Sequence, residues 1–388
     1  MKKTTVLCLI LGTSIMASPV FAADDAAALR SEIDGLSKRL AALEKEKSET
    51  KKNADWTDKI SFKGDLRYRY QYVEAENTSG DDLHLKKSIQ RIRARLGVFA
   101  DVNDFTTAGI GIRTGDKANS GNVTLGDHFD GFTMSISLAY FDIAPEEAKY
   151  GKATFGKMKQ PWKRSTDLIW DSDVNPEGIA YSYSGKIKQT GLFSSLGYFR
   201  VVEEKMHSDL NLGSAQLGAI QPFGEKIKLT LGGSLYAYDN AQEFADPVLS
   251  GSYPVDYRIF EGFSEIGFKD VLPFGFKLYG NVVENTLADS KNTGFCAGIK
   301  FGDAKKGTWE AKYDYRYLGL HAAPGYFADS DIADGGSGIR GHRIKAKYNF
   351  SKHLSGGVTL MIAERTPART LNETQDFNTL MLDLMVKF

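Results

Sequence analysis

The sequence predicts an all-β protein: a transmembrane antiparallel β-barrel of about sixteen strands, preceded by a short N-terminal coiled-coil helix. Three observations predict it. Over residues 59–72, Ile60, Phe62, Leu66, Tyr68, Tyr70 and Tyr72 alternate with Lys59, Lys63, Asp65, Arg67, Arg69 and Gln71. That run is far longer than an average soluble strand of about five or six residues and exceeds the 9 to 11 or so that a tilted strand needs to cross a bilayer. The polar half of the pattern is mostly charged, so it cannot face a dry sandwich core, whereas the apolar half suits lipid. Long connections also alternate with tight turns such as 101–104 and 302–307, the asymmetry of a barrel with loops at one end and turns at the other.

The elements follow in order. Lys2 and Lys3, the apolar stretch 6–16 and the small-x-small site Val20-Phe21-Ala22 read as an export signal over 1–22 that is cleaved before Ala23. Cys8 leaves with it, and Cys296 alone cannot form an internal disulfide. Within 23–53, Ala26, Leu29, Ile33, Leu36, Leu40 and Leu43 recur at spacings of three and four, flanked by Arg30, Glu32, Arg39, Glu44 and Glu46. So short a seam is marginal by itself, so it assists an association held elsewhere or is a lone surface helix; self-association is the favoured reading. A charged linker over 45–53 ends it, and the period changes from 3.5 to 2. The barrel then runs over 54–388.

The alternation returns in Ile92, Ala94, Leu96 and Val98 against Arg91, Arg93 and Arg95, and in Trp309 to Tyr317 against Glu310, Lys312, Asp314 and Arg316. It appears again in Ile344 to Phe350 against Arg343, Lys345 and Lys347. Strands are expected at 58–73, 88–101, 105–114, 132–142, 152–158, 178–184, 191–202 and 209–220. Eight more are expected at 226–238, 257–269, 275–285, 293–301, 308–318, 339–349, 355–365 and 378–388. The last carries Leu380, Leu382, Leu384, Val386 and Phe388 on its lipid face.

Charge and motifs exclude several function classes. Lys and Arg number 49 against 49 Asp and Glu, which leaves no basic footprint for nucleic acid. The six histidines are scattered without ligand spacing, and the lone cysteine forms no metal site. The loop with Asp329, Asp331 and Asp334 resembles a calcium loop but lacks its third ligand and closing Glu, so it reads as an ordinary acidic external loop. No nucleophile elbow, P-loop or convincing catalytic constellation is present, and no cofactor is expected.

Thr124-Leu-Gly-Asp-His-Phe129, Gly156-Lys-Met-Lys-Gln-Pro-Trp162 and the stretch from Asp167 to Gly178 resemble the Gram-negative "putative porin" family. The resemblance implies a bacterial outer-membrane diffusion channel embedded in lipid and passing small hydrophilic solutes and ions. The strand number is similar to that of general trimeric porins, which implies a homotrimer.

Passive diffusion needs a constriction and charges that orient a solute without trapping it. The candidate pore-lining residues are Lys63, Asp65, Arg67, Arg69, Arg91, Arg93, Arg95 and Arg113, a positive wall that sets selectivity or simply hydrates the interior and pairs with carboxylates. The candidate constriction is the third long connection, with Lys159, Lys163, Arg164, Asp167, Asp171, Asp173 and Glu177, whose acids would face that wall if the loop folds inward. A phosphate-like anion channel is the alternative, and an outer-membrane enzyme or a tether to the cell wall is a third reading.

Overall fold

The computed structural model describes residues 31, 34–45, 57–77, 84–205, 208–247, 253–269, 274–302, 305, 307–366 and 374–388. The expected export signal, the start of the heptad and most of the linker lie outside the described residues. Two compact units divide the chain, Met1–Asp58 and Lys59–Phe388. In the first, residues 34–45 are helical, as expected of a stretch rich in Leu, Ala, Lys, Arg and Glu and free of proline. Leu36, Leu40 and Leu43 of the heptad all lie exposed on that helix.

The second unit is one antiparallel sheet closed on itself. Its strands are β1 (Ile60–Asn77), β2 (His84–Asn103), β3 (Thr106–Thr114), β4 (Val123–Thr124), β5 (Met134–Ile143) and β6 (Gly151–Lys157). There follow β7 (Glu177–Ile187), β8 (Thr190–Val202), β9 (Leu210–Phe223), β10 (Ile227–Tyr238), β11 (Arg258–Phe268) and β12 (Phe276–Asn285). The last are β13 (Thr293–Gly302), β14 (Trp309–Leu318), β15 (Ile339–Asn349), β16 (Leu354–Arg365) and β17 (Gln375–Lys387). Sixteen form the barrel wall, as the sequence predicts; the two-residue β4 is a patch that takes over pairing with β2 at Arg91 and Ile92, beyond the end of β3. β1 pairs with both β2 and β17, so the wall has no free edge to satisfy.

Alternation decides which way each side chain points. Phe62, Leu66, Tyr68, Leu196, Leu217, Val282, Ile344 and Leu382 are exposed on the outer face, while Asp65, Arg69, Arg93, Gln216, Glu261 and Arg316 are buried on the inner one. At about 25 cal/mol per Å² of apolar surface, an outer belt of this kind is stable in lipid and not in water. No helix among the described residues is long and apolar enough to cross a membrane.

The seam between β1 and β17 closes at Gly64 and Phe388. Gly64 and Phe388 exchange backbone hydrogen bonds at 2.9 and 3.0 Å, and a Cβ on Gly64 would lie 2.5 Å from the Phe388 ring. The apolar core sits inside the barrel, where Met158, Trp162, Leu168, Ile169 and Trp170 pack with Phe199, Leu212, Tyr236, Ile259 and Ile332. Four of these contributors, Phe199, Leu212, Tyr236 and Ile259, come from the adjacent wall strands β8 to β11, and the rest come from the connections that fill the interior.

Candidate functional site: the loop-filled lumen

The connection 158–176 leaves the wall between Gly156 and Gly178, which are register partners in β6 and β7. Gly156 has φ of 107°, and a Cβ there would lie 2.2 Å from the Ala139 carbonyl oxygen, so only glycine permits this departure. Met158 N donates to Pro176 O at 2.9 Å and closes the neck. Trp162 and Trp170 then pack at a tilt with their rings 4.8 Å apart, and both meet Tyr236 of β10 at 5.3 Å. Beyond the aromatic anchor, Lys163 N donates to Gln216 Oε1 of β9 at 2.8 Å, and the Ser165 and Thr166 hydroxyls donate to Gly280 O (3.0 Å) and Asn281 Oδ1 (2.8 Å) of β12. The loop therefore spans the interior from β6 and β7 to the far wall.

A second connection, 319–338, turns inward and meets it. Asp171 N donates to Phe327 O at 2.7 Å, Trp170 stacks on Phe327 at 5.5 Å, and Ala322, Ala323, Ala328, Ile332 and Ala333 are buried. This corrects the expectation of an ordinary external loop for Asp329 to Asp334. Inward arginines on β14, β15 and β1 lack enough carboxylates on their own strands, and the acids of this loop supply them.

Three charge clusters result. In the first, Asp65 accepts from Arg93 Nη2 (3.0 Å) and Arg95 Nε (2.8 Å), and Asp173 accepts from Arg95 Nη1 at 3.0 Å while its backbone oxygen accepts from Arg113 at 2.9 Å. In the second, Arg69 lies between Asp383 of β17 (2.7 Å) and Asp331 (2.8 Å), with Arg67 at 3.8 Å from Asp383. In the third, the fully buried Arg316 and its neighbour Arg343 share Asp314, Asp167 and Asp329 at 2.7 to 3.0 Å. The loop acids thus part company: Asp173 meets the β2 and β3 arginines, whereas Asp167 crosses to β14 and β15.

The other predicted residues do not join these clusters. Glu177 pairs with Lys157 at the start of β7, Lys163 lies over the Phe193 ring at 5.2 Å, and Arg164 donates to the Trp170 carbonyl. Lys63 sits over the Phe99 ring at 5.4 Å, Arg91 stands opposite Arg69 and beside β4, and Lys159 is exposed. Arg316, Arg343, Asp314, Asp329, Asp331 and Asp383 went unassigned in the sequence. The signal that would have found them is the excess of inward basic residues, Lys312, Arg316, Arg343, Lys345 and Lys347, over the inward acids Glu310 and Asp314 on β14 and β15.

Two loop carboxyls are held far from their ordinary range, in opposite directions. Burial, and then the neighbouring Asp329, push Asp171 up to about 8; its carboxyl accepts from Asp173 N at 2.8 Å and Ser330 N at 3.3 Å, joining the two loops. Burial works to raise Asp331 as well, but Arg69 and Arg67 outweigh it and hold that carboxyl down to about 2. Among the described residues no group of three or more His, Cys, Asp or Glu is arranged to hold a metal ion.

A closed sixteen-strand barrel with an apolar exterior and a charged, loop-lined interior is the architecture of an outer-membrane channel. The chain belongs to the family described as "Putative porin", which matches residues 75–257 and 262–388. It is similar in fold to OprB of Pseudomonas putida, at 9% identity and a TM-score of 0.57 over 87% of this chain and 96% of that one. It is also similar to OmpF of Salmonella typhi, solved in complex with daunomycin, at 11% identity and 0.52 over 85% and 97%. No curated protein matches the sequence.

Proposed function

We propose that this protein is a general porin: exported by the signal over 1–22, it passes small hydrophilic solutes and ions passively through a lumen narrowed by loops 158–176 and 319–338. The observation that carries this reading is the meeting of two inward loops on charged walls, where carboxylates and guanidinium groups set up a transverse field. Asp65, Arg67, Arg69, Arg93, Arg95 and Arg113 orient solutes at one wall, with Asp173 of the loop paired to Arg93 and Arg95 there. A cavity of about 410 Å³ on the turn side of the loops, reaching Ser165 and Arg67, is the water-filled half of the path. Homotrimer formation belongs to the same proposal, assisted by Leu36, Leu40 and Leu43.

Single-channel recording of the refolded chain in a planar bilayer tests it. Ohmic steps that grow when 162–174 are replaced by a short Gly-Ser linker are the expected result. A folded protein without conductance would overturn the reading.

A further inference from the structure

We propose that the row of lysines on β12 to β15 is a binding site for elongated multivalent anions of the oligophosphate type, placed on the turn side of the loop constriction. Strand register builds the row. Lys277 stands directly opposite Lys300, Lys300 opposite Lys312, and Lys312 opposite Lys345, all four on inward positions of consecutive strands. Neighbouring strands lie about 4.8 Å apart, so the four stems form a ladder along the wall. Like charges directly opposite each other are destabilising, and a fold gains nothing by repeating the arrangement three times.

The ladder is only partly neutralised. Glu265 accepts from Lys277 at 2.7 Å, and Glu310 is shared between Lys300 and Lys347, the latter at 3.7 Å. Asp314 is 3.4 Å from Lys312, but the same carboxylate already accepts from Arg316 (2.7 Å) and Arg343 (3.0 Å). Lys345 has no carboxylate within 4 Å among the described residues, and it lines the 410 Å³ cavity together with Lys277, Lys300, Lys312, Lys347 and Lys387. Seven cations line that cavity against Glu265, Glu310 and Asp383, so positive charge is in surplus there.

The chemistry of the side chain narrows the ligand. Lysine ammonium groups are rotatable point charges without the planar fork that fixes a single carboxylate or phosphate, so an anion can pass from one rung to the next. A ligand with charges every few ångströms engages several rungs at once, while each single contact stays weak enough to release, as conduction requires. A monovalent anion engages one rung and gains little.

This inference rests on the channel reading, and two measurements separate them. Calorimetric titration of the detergent-solubilised full chain with sodium tripolyphosphate, citrate and acetate at fixed ionic strength reads the site without conduction. Tripolyphosphate is expected to bind about tenfold or more tighter than acetate and tighter than citrate, and K312Q/K345Q to weaken it about tenfold while K188Q leaves it unchanged. Equal affinity for tripolyphosphate and acetate, tighter binding of compact citrate, or an unchanged double variant would each overturn the ladder. In bilayers the same tripolyphosphate is expected to block current in the parent and not in K312Q/K345Q. Current without block overturns the ladder alone; binding without any current overturns the channel reading and leaves the ladder standing.

Discussion

The β1 to β3 wall and the β12 to β15 wall both present cations to the lumen, and they differ in what faces those cations. Arg93 and Arg95 are held between Asp65 and Asp173, and Arg69 between Asp383 and Asp331, so each guanidinium is fixed by carboxylates from two elements. Lys312 and Lys345 face each other across one ladder position with a single, oversubscribed Asp314 nearby. Number of cations alone therefore says little about where an anion is recognised. Arginine on both walls anchors the inward loops, and the lysines of β12 to β15 are the cations left least neutralised.

The comparison breaks most visibly where a paired arginine is removed. Arg316 is fully buried among Asp314, Asp167 and Asp329, so Arg316→Ala leaves uncompensated charge and should cost about 3–5 kcal/mol, read as a lowered urea midpoint of the barrel. If that variant unfolds at the parental midpoint, the arginine clusters are not structural and the contrast between paired arginine and under-neutralised lysine fails. Asp173→Asn tests the first wall more gently by releasing Arg93 and Arg95 from one partner. It should raise the chloride-over-potassium permeability ratio about twofold in reversal-potential measurements, and a shift toward potassium would contradict the pairing.

A pH dependence sharpens the role of the loops. The raised Asp171 carboxyl stabilises the loop junction in its protonated form, a contribution complete below the ordinary carboxylate range and lost as pH rises through about 8. Current fluctuations of the channel should therefore increase between pH 7 and 9, and Asp171→Asn should abolish that change. The smallest effect belongs to the ladder. Lys345→Gln removes one like-charge opposition and should stabilise the barrel by about 0.2–1 kcal/mol, whereas a loss of stability would mean that Lys345 has a structural partner.

Much of this was legible in the sequence, for definite reasons. In β1 the alternation of Leu66, Tyr68 and Tyr70 with Asp65, Arg67 and Arg69 fixes which face meets lipid, because a period of two leaves no choice once the apolar face is known. The loop acids Asp167, Asp171 and Asp173 are marked by composition, and the structure places Asp173 against Arg93 and Arg95. Which strand Asp167 would reach was hidden, since a loop carries no period and its target is set by the aromatic anchor of Trp162, Trp170 and Tyr236. The lysine ladder was hidden for another reason. Each lysine is visible as an inward residue, but their mutual opposition exists only after three strand registers are fixed, and a slip of one residue would turn a rung to the lipid. Likewise β4 is too short to show a pattern.

The seam between β1 and β17 governs how the protein comes to exist in a membrane. The ion pair across it, Arg69 with Asp383, joins positions 314 residues apart, so the ring cannot be closed locally or in stages. Until those two strands meet, the sheet carries two edges of unpaired backbone groups that hydrocarbon cannot satisfy. Insertion and closure must then be a single concerted event on an almost fully delivered chain. A chain that lacks β17 leaves β1 and β16 as unpaired edges and has no closed ring to place in hydrocarbon.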